Sequence, residues 1–209
     1  MKENDIEFAS ASDPFAAVLG EEAPERPLPA DRWRARFEAA ALHEASHLIV
    51  IWYYSRRRAM HPPFSGVTLR DDKGTPNGCV SWVDAEVAGG EEAISAMILA
   101  GLYGQKQLWG SALTMADWIG HVSASASDIA FSHDYKVLIT RFGKRSAQFQ
   151  TASLPLLQAV PQTFWAVASE LADLIFAGQG ISAAKAAELL SRHFPPTTSS
   201  AKAPARSKS

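Results

Sequence analysis

The sequence predicts a mainly α-helical domain that carries one small β-hairpin. Long segments place apolar residues at helical spacing, and two short runs of strand-forming residues flank a stretch rich in Gly, Pro and Asn. Of the 209 residues, 47% are hydrophobic and 20% are charged, which is the composition of an ordinary globular domain. The net charge of −2 gives no general attraction to nucleic acid, so we expect no nucleic-acid partner.

The predicted elements follow from capping and turn residues. Asp31 and Ser182 are suited to begin helices, and Gly143 is suited to end one. We expect helices at about 32–57, 91–108, 128–142, 156–177 (with an irregularity at Pro161) and 183–193. The hairpin strands are expected at 65–70 and 79–83, and the intervening turn includes Asn77-Gly78.

The composition changes along the chain and predicts three regions. Residues 1–30 are expected to be a mobile acidic leader, 31–194 the folded domain, and 195–209 a disordered basic tail. Cys79 is the single cysteine, so an internal disulfide is excluded. No apolar signal core and no run of 18 apolar residues is present, so we expect a cytoplasmic location and no membrane span.

The first predicted helix carries the pattern H-E-x-x-H at His43, Glu44 and His47. Two histidines four residues apart lie on one helix face, so both imidazoles can bind one zinc ion. Glu44 is then placed to act as general base on a zinc-activated water. The alternative is a chance pattern on a solvated helix. The apolar residues around the motif argue against it, because buried imidazoles and carboxylates are costly without partners.

A catalytic zinc ion normally takes a third protein ligand. The segment after His47 is apolar, so this ligand must come from farther along the chain. The residue types alone leave five candidates open: Asp117, His121, Asp128, His133 and Asp134.

Several motifs occur in an order that resembles one protease family. They are His-Glu-Ala-Ser-His, the strand Val67-Thr68-Leu69, Ala100-Gly101, Ser125-Ala126-Ser127-Asp128-Ile129 and Thr140-Arg141-Phe142-Gly143. Together, over about residues 36–192, they resemble the peptidase domain of the FtsH-type ATP-dependent zinc metalloproteases. The resemblance implies a zincin-like fold and a zinc endopeptidase that acts on peptides or unfolded protein segments. It also implies that Asp128 is the third zinc ligand, beside His43 and His47.

The sequence departs from the family pattern in a few places. Ser46 stands where the family has Gly, and Leu102-Tyr103-Gly104-Gln105 stands where it reads Arg-Ala-Ala-Glu. No G-x-x-x-x-G-K-S/T loop occurs in these residues, so we expect ATP-independent cleavage unless a separate ATPase or unfoldase delivers substrate. A homo-oligomer is a further candidate assembly. The alternative functions are an inactive family-like module that binds or regulates, and a helical interaction protein without metal.

Overall fold

The computed structural model describes residues 32–55, 62–72, 75–82, 90–109, 130–160 and 163–195. Within them the chain is mainly helical, as predicted. The helices are α1 (Arg32–Tyr54), α2 (Gly90–Trp109), α3 (Ala130–Phe142), α4 (Ser146–Gln158), α5 (Phe164–Gly178) and α6 (Ala183–His193), with a 3₁₀ turn at Gly143–Arg145. The strands are β1 (Gly66–Thr68), β2 (Arg70–Asp72), β3 (Thr75–Asn77) and β4 (Gly180–Ser182). The predicted acidic leader and the tail beyond residue 195 lie outside these segments.

Helix α1 is the central element of the core. From Phe37 to Trp52 all of its residues are buried, including the fully enclosed Leu42, Leu48 and Ile49. A helix that is apolar around most of its circumference has to lie inside a protein, because no face of it is suited to water. α1 therefore packs against α2 and α5, and α2 also packs against α4 and α3. None of the helices in the described segments is long and apolar enough to cross a bilayer.

The strands differ from the predicted simple hairpin. β1 pairs antiparallel with β4, which lies more than a hundred residues later in the chain, and β2 pairs with β3 inside the segment expected to be a turn. In its described residues, the predicted returning strand forms a bridge between Phe64 and Trp82 but no ladder. Ser65 N donates to Ser81 O at 3.0 Å, and Ser81 N donates to the Ser65 hydroxyl at 3.2 Å. Strands of three residues are too short to show an alternating pattern, so the distant pairing left no signal in the sequence.

The helix expected at 156–177 is two helices. α4 begins at Ser146 and ends at Gln158, and α5 begins at Phe164, so the polar residues before Leu156 are helical rather than a loop. Pro161, where an irregularity was expected, lies between these helices in the chain and outside the described residues. The predicted cap at Ser182 is confirmed, since its hydroxyl accepts a hydrogen bond from Lys185 N at 3.2 Å.

Helices α1 and α2 approach closely where Ser46 faces Gly104. The Ser46 hydroxyl is fully buried and donates to the Leu42 carbonyl at 2.7 Å. A side-chain carbon at Gly104 would lie well inside van der Waals contact with Oγ and Cβ of Ser46. The two positions are therefore complementary: the larger residue on α1 occupies the space that the smaller residue on α2 leaves.

We expect Gly104→Ala to lower the free energy of unfolding by about 1–3 kcal/mol, the usual cost of overpacking a well-filled core. Adding Ser46→Gly should restore much of this loss, because it removes the atoms that the new methyl group meets. Urea unfolding of the four proteins of this double-mutant cycle measures the coupling.

Gly178→Ala is the matched control, since a side-chain carbon at residue 178 would meet no atom within 4 Å. It should change the unfolding free energy by less than about 0.5 kcal/mol. A loss in the double variant that equals the sum of the losses in the two single variants would show that the two positions are not coupled.

Candidate metal centre

His43 and His47 lie one turn apart in the middle of α1. Both imidazoles are buried, with 3% and 5% of their surface exposed, and their Nε2 atoms are 3.1 Å apart. The four-residue spacing explains this convergence, because residues i and i+4 lie one above the other on a helix face. The part of the site that the H-E-x-x-H pattern predicts is thus brought together.

Asp134 on α3 completes the group. Its Oδ2 atom lies 3.2 Å from Nε2 of His43 and 3.5 Å from Nε2 of His47, and the side chain is buried. One ligand atom from each of the three residues lies within 4.8 Å of the others, so the cluster could hold a metal ion. Within the described residues, Oδ2 of Asp134 makes no well-aligned hydrogen bond, although it is buried. A cation between the three atoms would satisfy it.

The backbone of α2 orients His47. Its Nδ1 atom lies 2.7 Å from the Met97 carbonyl oxygen. A carbonyl can only accept, so Nδ1 carries the hydrogen and Nε2 of the neutral ring presents its lone pair to Asp134 and His43. Metal-binding histidines commonly hold their second nitrogen in this way. The ring of Trp82 stacks beside His47 with the centroids 6.5 Å apart and closes this side of the site.

The charges of the cluster are strongly coupled. Burial by itself would lower the pKa of His47, but the Asp134 carboxylate, the charge of Glu44 and the Met97 carbonyl outweigh it and raise that pKa to about 9. Burial would raise the pKa of Asp134, yet the two neighbouring imidazoles hold it well below its usual range. The pocket therefore favours positive charge beside an ionised carboxylate, which either a proton or a metal cation can supply.

Gly101 on α2 makes room for the His43 ring. A side-chain carbon at this position would overlap the ring atoms of His43. Nδ1 of His43 is buried and has no hydrogen-bond partner among the described residues. The ring is thus positioned by packing against the bare backbone of α2, and not by a hydrogen bond through that nitrogen.

Glu44 lies beside the cluster, under the end of the β2–β3 hairpin. Its side chain is buried, and Gly78 approaches so closely that a Cβ there would be 2.7 Å from Cγ of Glu44. Partial burial raises the pKa of the Cys79 thiol, and the nearby charge of Glu44 raises it further. The thiol is therefore protonated at neutral pH. The side chain of Glu44, the candidate general base, therefore lies between the backbone of its own helix and the end of the hairpin, next to His47.

The structure describes only some of the predicted third ligands. Asp117, His121 and Asp128 lie outside the described residues, and for His133 the helix position but not the side chain is described. Asp128 therefore stays a prediction. Asp134 was among the five candidates, and one signal favoured it. It precedes the buried Leu138 by four residues and Phe142 by eight, so it places a carboxylate on the apolar face of its helix.

No protein-family model matches the chain, and no curated protein or solved structure is significantly similar to it.

We expect Asp134→Ala to lower zinc affinity at least about 100-fold. Loss of a residue that only orients a metal ligand lowers metal affinity by up to about 100-fold, and loss of the ligand itself should cost at least as much. Asp128→Ala should bind one zinc ion per chain like the unmodified protein. Metal content after dialysis and competition with a chromogenic chelator measure both. The reverse result, zinc lost in Asp128→Ala and kept in Asp134→Ala, would assign the third ligand to Asp128.

Gly101→Ala should also impair zinc binding while leaving the helices formed, because the new methyl group displaces the His43 ring. The readouts are zinc content and circular dichroism. Gly178→Ala adds the same methyl group in open space and should bind zinc normally. Unchanged zinc affinity in Gly101→Ala would mean that α1 and α2 can separate without cost to the site.

Proposed function

We propose that the chain is a zinc-dependent endopeptidase with a zincin-like arrangement of its site. The observation that carries the proposal is the buried convergence of His43, His47 and Asp134 beside Glu44. Two histidines and one carboxylate leave a fourth position of a tetrahedral zinc ion for water or substrate. The resemblance to the FtsH-type peptidase domain supports the same reaction. The substrates would be peptides or unfolded protein segments.

The spacing of the donor atoms supports zinc as the metal. Zinc binds imidazole nitrogen and carboxylate oxygen at about 2.0–2.2 Å, so neighbouring ligands of a tetrahedral site lie roughly 3.3–3.5 Å apart. The three distances here are 3.1, 3.2 and 3.5 Å. Nδ1 of His47 is fixed by the Met97 carbonyl, so Nε2 would bind zinc once the ion displaces its proton.

The proposed chemistry divides between the metal and the chain. A zinc ion held by His43, His47 and Asp134 would supply a Lewis acid for the scissile carbonyl and would lower the pKa of water at the site. Glu44 accepts the proton of the attacking water and returns it to the nitrogen of the leaving amine. Its confinement by Gly78 holds the carboxylate in one position, which reduces the reorganisation needed during the reaction. Asp134 balances the charge of the metal and fixes its position.

An inactive binding or regulatory module is the second candidate. The departures at Ser46 and Gln105 motivate it. Ser46 is accommodated by Gly104 and its hydroxyl bonds within α1, while the side chain of Gln105 lies outside the described part of the structure. The retained Glu44 favours activity further, because a metal-binding module needs only the ligands. If substrate must be unfolded first, a separate ATPase would deliver it, as the resemblance implies.

We expect Glu44→Gln to reduce peptide hydrolysis at least about 100-fold, the contribution of a general base, while one zinc ion per chain is retained. The measurements are cleavage of quenched fluorescent peptides and of unfolded casein, together with zinc content. Glu188→Gln is the control, because this exposed glutamate on α6 pairs with Lys185 and lies outside the cluster.

Other outcomes favour the other functions. Stoichiometric zinc with no cleavage of any peptide or of casein would support the binding module. Metal-free protein whose stability is unchanged by a chelator would support a helical interaction protein. Hydrolysis that persists undiminished in Glu44→Gln would contradict the proposed role of this residue.

A further inference from the structure

An open polar cleft of about 760 Å³ lies beside the candidate metal centre. One wall is formed by β1 and β4, and the opposite wall includes Gly78 and Cys79 at the end of the hairpin. Four glycines line it, so much of its surface is backbone without side chains. A cleft of this size can enclose a substrate side chain together with part of the peptide backbone.

Gly78 connects the cleft to the proposed chemistry. It lines the cleft on one side and contacts Glu44 on the other. Arg70 on β2 also lines the cleft, and its register partner on β3 is Asn77, the residue before Gly78. The Cα atoms of Arg70 and Gly78 are therefore within about 10 Å. An extended peptide covers that distance in about three residues.

The side chains that line the cleft indicate which kind of chemical group it would bind. Hydroxyl and amide side chains line it, and among the described lining residues Arg70 carries the charged group. The Arg70 side chain is exposed to solvent and therefore reachable by a ligand. A guanidinium group binds carboxylates through two parallel hydrogen bonds. The carboxylate of Glu44 would repel a ligand carboxylate near Gly78. A ligand carboxylate would therefore bind at the Arg70 end of the cleft.

We propose that this cleft is a substrate subsite in which Arg70 binds a carboxylate within about three residues of the scissile bond. The inference deepens the proposed endopeptidase function and rests on it. The carboxylate belongs either to an acidic side chain of the substrate or to the C-terminus of a short peptide. Both sources present the same group to Arg70, and the experiment separates them.

The test uses the zinc-loaded protein and matched sets of quenched peptides. In one set, blocked at both ends, each of the three positions on either side of the cleaved bond is in turn Glu, Gln or Lys. In the other set, short neutral peptides end in a free acid or an amide. We expect kcat/KM to be about two- to fivefold higher for Glu than for Gln at one position, the effect of a solvent-exposed ion pair. A preference for the free acid over the amide would instead identify the C-terminal carboxylate.

Variants of Arg70 assign the preference to this residue. Arg70→Gln should bring the ratio of Glu to Gln peptides close to one, Arg70→Lys should keep part of it, and Arg70→Glu should favour the Lys peptide. Arg192→Gln is the control, because Arg192 is an exposed arginine on α6 about 15 Å along the helix from Ser182, which lines the cleft. It should retain the ratio of the unmodified protein.

A binding measurement keeps the inference testable if the chain cleaves nothing. Fluorescence anisotropy of labelled Glu and Gln peptides on the Glu44→Gln protein reports the subsite without hydrolysis. Tighter binding of the Glu peptide, lost in Arg70→Gln, would support the subsite even if the protease proposal fails. Equal binding and equal cleavage of all peptides and termini, or a preference that survives Arg70→Gln, would overturn it.

Discussion

The structure depends on how a cluster of ionisable side chains is accommodated in α1, a helix that is buried along most of its length. α1 lies inside the domain and its apolar residues form the centre of the core. Yet its middle turns carry His43, Glu44 and His47, whose polar atoms would cost several kcal/mol if they were buried without partners. Asp134 and the Met97 carbonyl supply some of these partners, and the three ligand atoms could hold a cation that would supply more. In this fold the core and the candidate site are therefore the same region.

The backbone of α2 provides the space that the polar side chains of α1 occupy. His43 and Ser46 project from α1 toward α2, where Gly101 and Gly104 leave space for them. In both contacts the residue on α1 has a side chain and the residue on α2 is a glycine. The two helices therefore approach closely over a full turn. A close approach also brings the Met97 carbonyl within hydrogen-bond distance of His47. The orientation of the metal-binding imidazoles thus follows from ordinary helix packing, which a rigid core holds more firmly than a loop could.

The parts of this site differ in how far the sequence could predict them, and the reason is sequence separation. His43 and His47 were predictable because the helical repeat alone brings them together. The place of Asp134 beside them was not predictable, because it depends on how α3 packs in the folded domain, and five candidates satisfied the chemistry. The same distinction applies to the fold. The long amphipathic helices were predicted, whereas the pairing of β1 with β4 joins three-residue strands from distant parts of the chain. The start of α4 was predicted too late because polar residues precede Leu156. In the helix Gln148 and Thr151 are exposed, whereas Phe149 and Ser153 are buried.

The β-strands connect the buried site to solvent, although they contribute little to the core. The β2–β3 hairpin ends at Gly78, which touches Glu44, and the cleft between Gly78 and β4 opens beside it. Gly78 therefore lies both against the buried side chain of Glu44 and in the lining of the cleft. Any larger residue at position 78 would displace Glu44 or narrow the cleft. The lack of a side chain there thus meets two requirements of the proposed function at once, room for the proposed base and room for the proposed substrate.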